Sequence, residues 1–420
     1  FFLLIIIRVP VAFAMILASL IGCVVLDLAP ITAVASTAFN SLFSYTLLAI
    51  PFYIFAGAIM TRGGISKKLC DWIGTLFYRV RGGPGMVTVV ASASFPAISG
   101  SATAPTASIG TMMLPEMEAR GYQRPQALAI AAAGGVIGPI IPPSIMFVLY
   151  GVGTETSIGD LFIAGLLPGI LLAVFLCGAV FLTAKKDGVA ATGGKISASA
   201  FFKTLWHAKW AILVPVIILG GIYSGIFTPT EAGAAACVYA IIITLFVDRT
   251  LSFKGLLTVA GESAVTGATI FILLAAAGIF GRVLTLGQVP QQLSDAILSV
   301  AGNRVACLII VNIILLVIGC VMDGGAALII LAPLMLPIVE QFGVDPIHFG
   351  VMICLNLSIG AITPPVGSCL FAAVVIGDTP LEKIAKNIVP FLLAEIAVLV
   401  LVIFCPPLST ALISLMGGGG

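Results

Sequence analysis

The sequence has few charged residues for its length. Only 9% of its 420 residues are charged, against about 25% in a typical soluble domain, and 60% are apolar. This composition excludes a water-soluble globular domain, a disordered chain and a nucleic-acid-binding protein. The formal net charge of +2 is also too small to attract polyanions. The sequence therefore predicts a protein whose solvent is a lipid bilayer.

The residues that most enzymes depend on are scarce as well. The two histidines, His207 and His348, are far apart in the sequence, and the nine cysteines form no C-x-x-C pair. This predicts neither a metal centre nor a disulfide framework, and it leaves no material for a Ser-His-Asp triad. The carboxylates are scattered rather than paired, so we expect no enzyme.

Long apolar segments predict nine membrane crossings, each able to span about 30 Å of hydrocarbon. They lie near 1–26, 41–61, 126–150, 160–184, 210–227, 230–247, 263–284, 347–376 and 389–407. Two further apolar segments, 84–117 and 305–340, are interrupted by SGSAT at 99–103 and DGG at 323–325, where helix propensity is poor. Each predicts a re-entrant helical hairpin. Its tip must be buried in protein or line a wet cavity, because lipid offers no hydrogen bonds to free backbone groups.

The positions of the positive charges predict the orientation. With a cytoplasmic N-terminus, all but two of the nineteen Lys and Arg residues fall on the cytoplasmic side, the exceptions being Arg282 and Arg304. This satisfies the positive-inside rule, and a shift by one crossing would destroy the agreement. We therefore expect a cytoplasmic N-terminus and a periplasmic C-terminus.

An internal repeat is visible at an offset of 222 residues. IGPIIPP at 137–143 aligns with IGAITPP at 359–365, and MLP at 113–115 aligns with MLP at 335–337. Five predicted crossings separate equivalent points, and an odd number inverts the second copy relative to the first. A single glycine or proline in a membrane helix usually marks an ordinary kink. Breaks paired by an inverted repeat are instead typical of secondary transporters, whose site lies between the repeats.

Each break is expected to leave carbonyl oxygens unpaired at the end of one half-helix and N–H groups unpaired at the start of the next. Carbonyl oxygens suit a small hard cation, and N–H groups suit a carboxylate. The candidate ligands are Ser99, Ser101, Thr103, Ser144 and carbonyls near Gly138 and Ile141 in the first copy, and Asp323, Gly324, Gly360, Thr363 and Ser368 in the second. Two clusters rich in oxygen predict Na⁺ rather than a transition metal, with protons as the alternative.

Asp323 is the one carboxylate at a hairpin tip, where the first copy has Ser101. A carboxylate at the bilayer midplane costs about 2.5 to 3.5 kcal/mol on insertion scales, so we expect a partner or a ligand beside it. A helix N-cap is the alternative role, and the two roles are compatible. Glu395 lies in an apolar span without a matching break, which predicts buried packing or a subunit contact.

Several motifs together resemble those of one transporter family. They are GGPGM at 82–86, AISGSATA at 97–104, AAAGGVIGPIIPPS at 131–144, MDG at 322–324 and GAITPPVG at 360–367. Over nearly the whole chain, the sequence resembles the large membrane (M) subunit of tripartite ATP-independent periplasmic (TRAP) transporters. The resemblance implies an all-α membrane protein, an inverted-repeat elevator-type transporter with two re-entrant helical hairpins and broken transmembrane helices. It also implies Na⁺-driven import of an organic acid, of the sialic acid or C4-dicarboxylate class, across the bacterial inner membrane.

The same resemblance implies sites and partners. One Na⁺ site would lie around Ser99, Gly138, Ile141 and Pro143, a second around Gly324, Gly360, Thr363 and Pro365, and the substrate between Ser99, Ser144 and Asp323. Two or more Na⁺ ions would be bound. The implied partners are a separate small membrane (Q) subunit, a soluble periplasmic substrate-binding (P) protein and the bilayer, with no nucleic acid.

The repeat also suggests domain boundaries. A transport domain would comprise 82–150 and 305–376, and a stationary scaffold would comprise 1–81, 151–304 and 377–420, including an amphipathic stretch at 195–209. A stand-alone Na⁺- or H⁺-coupled dicarboxylate symporter of a related inverted-repeat family is the alternative function, and uptake without a periplasmic protein would indicate it. A channel is disfavoured because it would need a continuous polar path.

Overall fold

A computed structural model of the chain describes residues 1–7, 9–25, 27–77, 79–94, 102–186, 188–189 and 198–416. The regular elements of these residues are all helical, with no β-strand among them. The α-helices are α1 (Phe2–Ile6), α2 (Val11–Val25), α3 (Ile31–Leu42), α4 (Ala49–Arg62), α5 (Ile65–Phe77), α6 (Gly83–Ser94), α7 (Thr103–Ala119), α8 (Arg124–Val136), α9 (Ile145–Thr154), α10 (Ile158–Lys186), α11 (Ala198–Tyr223), α12 (Pro229–Ile242), α13 (Phe253–Leu286), α14 (Val289–Val300), α15 (Arg304–Val321), α16 (Gly324–Glu340), α17 (Pro346–Gly360), α18 (Ser368–Gly377), α19 (Leu381–Phe404) and α20 (Pro407–Leu415).

Seven helical segments in the described part of the chain are long and apolar enough to cross a membrane. They are Tyr45–Arg62, Ile158–Lys186, Phe201–Tyr223, Pro229–Val247, Phe253–Leu286, Arg304–Val321 and Leu381–Phe404. Shorter apolar helices, including α9 and α16 to α18, pack among them. The helical content and these spans confirm the predicted all-α membrane fold.

Both predicted hairpins consist of two helices that pack against each other. In the second hairpin, α15 and α16 are separated only by Met322 and Asp323. In the first, α6 and α7 flank residues 95–101, so the predicted ligands Ser99 and Ser101 lie outside the described residues.

Both predicted broken helices are interrupted where the proline pairs stand. The helix α8 ends at Val136 and α9 begins at Ile145, while α17 ends at Gly360 and α18 begins at Ser368. Proline has no N–H group to donate, and its ring clashes with the preceding turn of a helix, so neither helix continues through its proline pair, which follows the end of the first half by a few residues. In each turn the Pro-Pro peptide bond is cis.

The internal repeat extends over five consecutive pairs of helices. The helices α8 and α17 begin at Arg124 and Pro346, an offset of 222 residues, and the starts of α6/α15, α7/α16, α9/α18 and α10/α19 fall within one residue of that offset. Packing follows the same relation: α7 contacts α18 while α16 contacts α9, and α8 contacts α19 while α17 contacts α10. Contacts that exchange between two copies are those of an approximate twofold axis.

Some predicted loops contain helices. The segment at 62–81, between the crossing predicted at 41–61 and the first hairpin, contains the amphipathic helix α5, and the segment near 284–304, between the crossing predicted at 263–284 and the second hairpin, contains α14. In α5 the apolar residues Ile65, Leu69 and Ile73 recur every four positions and are buried. Hydropathy averaged over a membrane-length window misses such short amphipathic helices. In addition, α11 is continuous from Ala198 to Tyr223, so the described part of the amphipathic stretch predicted at 195–209 belongs to the same helix as the span predicted after it.

The helices form two groups, which we call the outer and the inner group. In the outer group (α2 to α4 and α11 to α13), α13 packs on α2, α3 and α4, while α12 packs on α4 and α11. The inner group (α6 to α10 and α15 to α19) contains both hairpins and both broken helices. It includes α10 and α19, which pack on α8 and α17, although the boundaries predicted from the sequence place them in a stationary scaffold. The division into transport domain and scaffold stays a prediction.

Candidate functional site

A cavity of about 870 Å³ lies between the two groups. Its wall is formed by α4 and α13 of the outer group and by α7, α9, α16, α17 and α18 of the inner group, with one residue from the turn in each broken helix, Pro139 and Ala361. Its polar lining residues in the described part of the chain are Thr61, Arg62, Thr103, Ser108, Thr111, Glu262, Thr266, Asp323, Ser358 and Ser368. The remaining lining is largely apolar. A volume of this size accommodates a small organic molecule.

Four helices point their N-terminal ends at this cavity. The first residues of α7, α9, α16 and α18, which are Thr103, Ile145, Gly324 and Ser368, all line it. The first turn of a helix carries unpaired N–H groups and a partial charge of about +0.5. The end of α16 is already capped by the Asp323 carboxylate, so the ends of α7, α9 and α18 are those that favour an added anion such as a carboxylate.

Asp323 stands at the tip of the second hairpin, is exposed and lines the cavity. Its Oδ1 accepts hydrogen bonds from the backbone N–H of Gly325 at 3.0 Å and of Ala326 at 3.4 Å, which makes it the N-cap of α16. Both bonds use the same oxygen, so Oδ2 is free of these capping bonds. The predicted capping role is confirmed, and this geometry is compatible with a ligand at Oδ2.

The turn between α8 and α9 supplies carbonyl oxygens. Its N–H groups are partly satisfied within the turn, for example by the bond from Gly138 N to Gly135 O at 3.0 Å. Among the described residues, none donates a hydrogen bond to the carbonyl oxygens of Gly138, Ile141 or Pro143. Free carbonyl oxygens of this kind are suitable ligands for Na⁺, so these three oxygens fit the predicted first site. Its fourth residue, Ser99, lies outside the described residues.

The turn between α17 and α18 is held more tightly. The Gly360 carbonyl accepts from Thr363 N at 3.0 Å, and Thr363 Oγ1 donates to Ile359 O at 2.8 Å. In the described part of the chain, the carbonyl oxygens of Thr363 and Pro365 receive no hydrogen bond, so they remain available to a cation. Gly324, the remaining predicted ligand, is the first residue of α16.

Close backbone contact fixes this second turn against the hairpin. A Cβ atom on Gly360 would lie 2.5 Å from the carbonyl carbon of Gly319 in α15, so only glycine fits. The N–H group of Gly367 also donates to Cys320 O at 3.2 Å. The end of α15 and the turn of the broken helix therefore form one packed unit.

Two residues singled out in the sequence are placed away from the cavity. Ser144 is fully buried and does not line the cavity. Its hydroxyl donates to the Pro139 carbonyl and accepts from Phe147 N, so it is the N-cap of α9 and links Pro139 to that helix. Glu395 is buried within the chain, and neither of its carboxyl oxygens has a hydrogen-bond partner among the described residues.

Sequence reasoning missed two cavity-lining charges, Arg62 at the end of α4 and Glu262 in α13. Arg62 Nη2 donates to Glu262 Oε1 at 2.7 Å, across 200 residues of sequence. In the sequence, Arg62 is only one of the loop charges that indicate the orientation. No motif or spacing links it to Glu262.

Comparison with known proteins identifies the family of the chain. Residues 1–408 match the model of the family described as "Tripartite ATP-independent periplasmic transporter, DctM component". The chain belongs to this family. It is thus a large permease subunit of a TRAP transporter, a multi-pass inner-membrane transport protein and not an enzyme, and the predicted family is confirmed.

Two curated relatives illustrate the range of this family. The chain is 41% identical, over 97% of its own length, to the isethionate TRAP transporter permease protein DctMQ of Oleidesulfovibrio alaskensis, but it spans only 64% of that relative. It is 35% identical to the sialic acid TRAP transporter large permease protein SiaM of Vibrio cholerae, over 98% of the chain and 96% of the relative.

A solved structure supports the fold independently. The crystal structure of the YdaH transporter of Alcanivorax borkumensis superposes with a TM-score of 0.62 at 15% identity, over 90% of this chain and 89% of that one. At this identity the likeness shows the fold alone. It agrees with the all-α transporter architecture seen here.

Proposed function

We propose that this TRAP large permease subunit imports an organic acid, of the sialic acid or C4-dicarboxylate class, driven by a Na⁺ gradient. The observation that carries the proposal is the meeting of four helix N-termini at one cavity. The first-turn N–H groups and the partial positive charges at these ends favour a carboxylate. The relatives are named for isethionate and sialic acid, two different organic anions, which supports an anionic cargo.

Na⁺ would bind at the two turns and couple to the acid through the cavity wall. Pro139 and Ala361 belong to these turns and line the cavity, so a cation that orders a turn also shapes the acid site. If the acid raises the affinity for Na⁺ by some factor, Na⁺ raises the affinity for the acid by the same factor. The proposed ligands are the turn carbonyls of the predicted sites, together with Ser99 in the first.

Import would proceed by an elevator motion of inner-group helices against α4 and α13. The hairpins and broken helices pack tightly among themselves, whereas the cavity separates them from part of the outer group. We place the N-terminus in the cytoplasm, as the positive-inside rule favours. Five crossings, an odd number, are predicted between equivalent points, so the two repeats would be inverted, and exchange of their conformations would expose the site to alternate sides.

The proposed complex contains two partners, a small membrane (Q) subunit and a soluble periplasmic substrate-binding (P) protein. The name of the relative DctMQ joins the letters of a large and a small subunit, which supports a small subunit as a partner. The binding protein would deliver the acid from the periplasm.

Transport measurements test the proposal. The chain would be reconstituted in vesicles with a small membrane subunit and a binding protein of the same TRAP system, and supplied with radiolabelled succinate or N-acetylneuraminate. We expect uptake of one of these acids only with an inward Na⁺ gradient and with the binding protein. Equal uptake with K⁺ in place of Na⁺ would refute Na⁺ coupling, and full uptake without the binding protein would favour a stand-alone symporter.

A further inference from the structure

The cavity contains three charged side chains among the described residues that line it: Arg62, Glu262 and Asp323. An organic anion that enters therefore meets two carboxylates and one guanidinium. The helix N-termini attract it with partial charges only. Within the described lining, Arg62 is the one side chain with a full positive charge.

The geometry of Arg62 leaves it open to a ligand. Its bond to Glu262 joins Nη2 to a single oxygen, Oε1, at 2.7 Å. A guanidinium has five N–H donors in a planar fork that matches a carboxylate in two parallel bonds. The side chains are 45% and 56% exposed, so neither is enclosed by the pair.

Stability alone does not account for this ion pair. An exposed pair of this kind contributes only about 0 to 1 kcal/mol, because water and salt screen it. The helices that it joins, α4 and α13, already pack against each other without it. Arg62 also ends α4, where a cation complements the helix dipole, but that role does not require a counter-ion.

We propose that Arg62 binds the carboxylate of the transported acid and that Glu262 is the counter-ion that this carboxylate displaces. The proposal rests on the proposed function, and it assigns the anion contact of the outer group. Arg62 stands on α4 of the outer group, whereas Asp323 and the helix N-termini belong to the inner group. The acid would therefore contact both groups at once, and only in the relative position of the groups seen here. Competition by Glu262 limits the affinity of this contact and so allows the acid to leave.

Binding of free acid to the purified subunit complex tests the proposal without the binding protein. The rise in melting temperature is measured against the concentration of succinate and of N-acetylneuraminate at fixed Na⁺. Ligand binding stabilises the folded protein by RT ln(1 + [acid]/Kd), and a fit of this curve gives the apparent affinity. We expect Arg62→Gln to weaken the affinity about tenfold, the loss of one charge-assisted contact. Glu262→Gln should strengthen it several-fold, because the competing carboxylate is removed.

Two further variants separate direct binding from an effect of charge alone. Arg62→Lys keeps the positive charge but loses the planar fork of donors. A loss of affinity close to that of Arg62→Gln would indicate direct contact with the acid. Unchanged affinity would mean that Arg62 acts only through its charge, and it would overturn the proposal. Arg120→Gln is the matched control, because Arg120 pairs with Glu116 at 2.9 Å and does not line the cavity. It should bind acid as the unaltered chain does.

The two failures are distinguishable. If the unaltered chain gains stability from an acid and Arg62→Gln gains as much, the assignment of Arg62 is wrong while the proposed function stands. If Arg62→Gln and Glu262→Gln both lose affinity for the acid, the ion pair only holds α4 and α13 together. This result would also overturn the proposal. If neither acid stabilises the unaltered chain, the proposed substrate class and the role of Arg62 fail together.

Discussion

Asp323 and Asp345 cap their helices in the same way, but only Asp323 lines the cavity. Each accepts hydrogen bonds on Oδ1 from the backbone N–H groups two and three residues ahead. Both are exposed. The sequence indicated Asp323, because a lone carboxylate beside two glycines interrupts an apolar segment. It gave no such indication for Arg62, whose partner is 200 residues away.

This matched pair allows capping to be separated from transport. Asparagine caps a helix as well as aspartate does, so Asp323→Asn and Asp345→Asn should both melt close to the unaltered chain. We expect Asp323→Asn to lose at least about tenfold of the Na⁺-driven uptake, because it removes a negative charge next to Gly324, a proposed Na⁺ ligand, and Asp345→Asn to keep it. Initial rates in vesicles, normalised to the amount of inserted protein, measure this. Equal rates in both variants would remove Asp323 from the site.

At the scale of elements, the breaks were predictable and their surroundings were not. A helix does not continue through two consecutive prolines, and here each pair stands near a glycine, so the breaks at 137–143 and 361–367 could be predicted from the sequence. The short amphipathic helices α5 and α14 were missed because their apolar faces are too narrow for a hydropathy window. The close approach of Gly360 to Gly319 depends on how α17 meets α15, which no local signal encodes.

We expect Gly360→Ala to destabilise the chain. The added methyl group would force two backbones apart, a clash that costs about 1 to 3 kcal/mol in a packed interior. Gly281→Ala in α13 is the control, because its Cβ would meet no atom within 4 Å and alanine favours a helix by about 0.5 to 1 kcal/mol. Thermal melting in detergent should therefore shift in opposite directions for the two variants. A Gly360→Ala chain as stable as the unaltered one would show that the turn is not fixed there.

At the scale of the whole molecule, the cavity lies between the outer and the inner helix group. The face of α13 meets α16 across this boundary, and Ile270 and Ile329 line the cavity from the two sides. An elevator motion requires these helices to slide past each other during every cycle, whereas a mechanism confined to local gating does not.

Cross-linking distinguishes these mechanisms. Ile270→Cys and Ile329→Cys would be joined by a short reducible bis-methanethiosulfonate reagent, in a chain whose exposed Cys405 is replaced by Ser. We expect the cross-link to abolish uptake and reduction to restore it, because the inner group can no longer move. Each single-cysteine variant treated with the reagent should still transport. Full uptake in the cross-linked protein would contradict the elevator motion.

The sequence by itself determined the solvent of this protein, its helical class, the positions of its breaks and its repeat. Those properties depend on apolar run length and on the local effects of glycine and proline, which act whatever the rest of the chain does. Only the tertiary structure brought Thr103, Ile145, Gly324 and Ser368 to one cavity and placed Arg62 beside Glu262. Such contacts join segments 200 residues or more apart, and the packing of whole helices decides them.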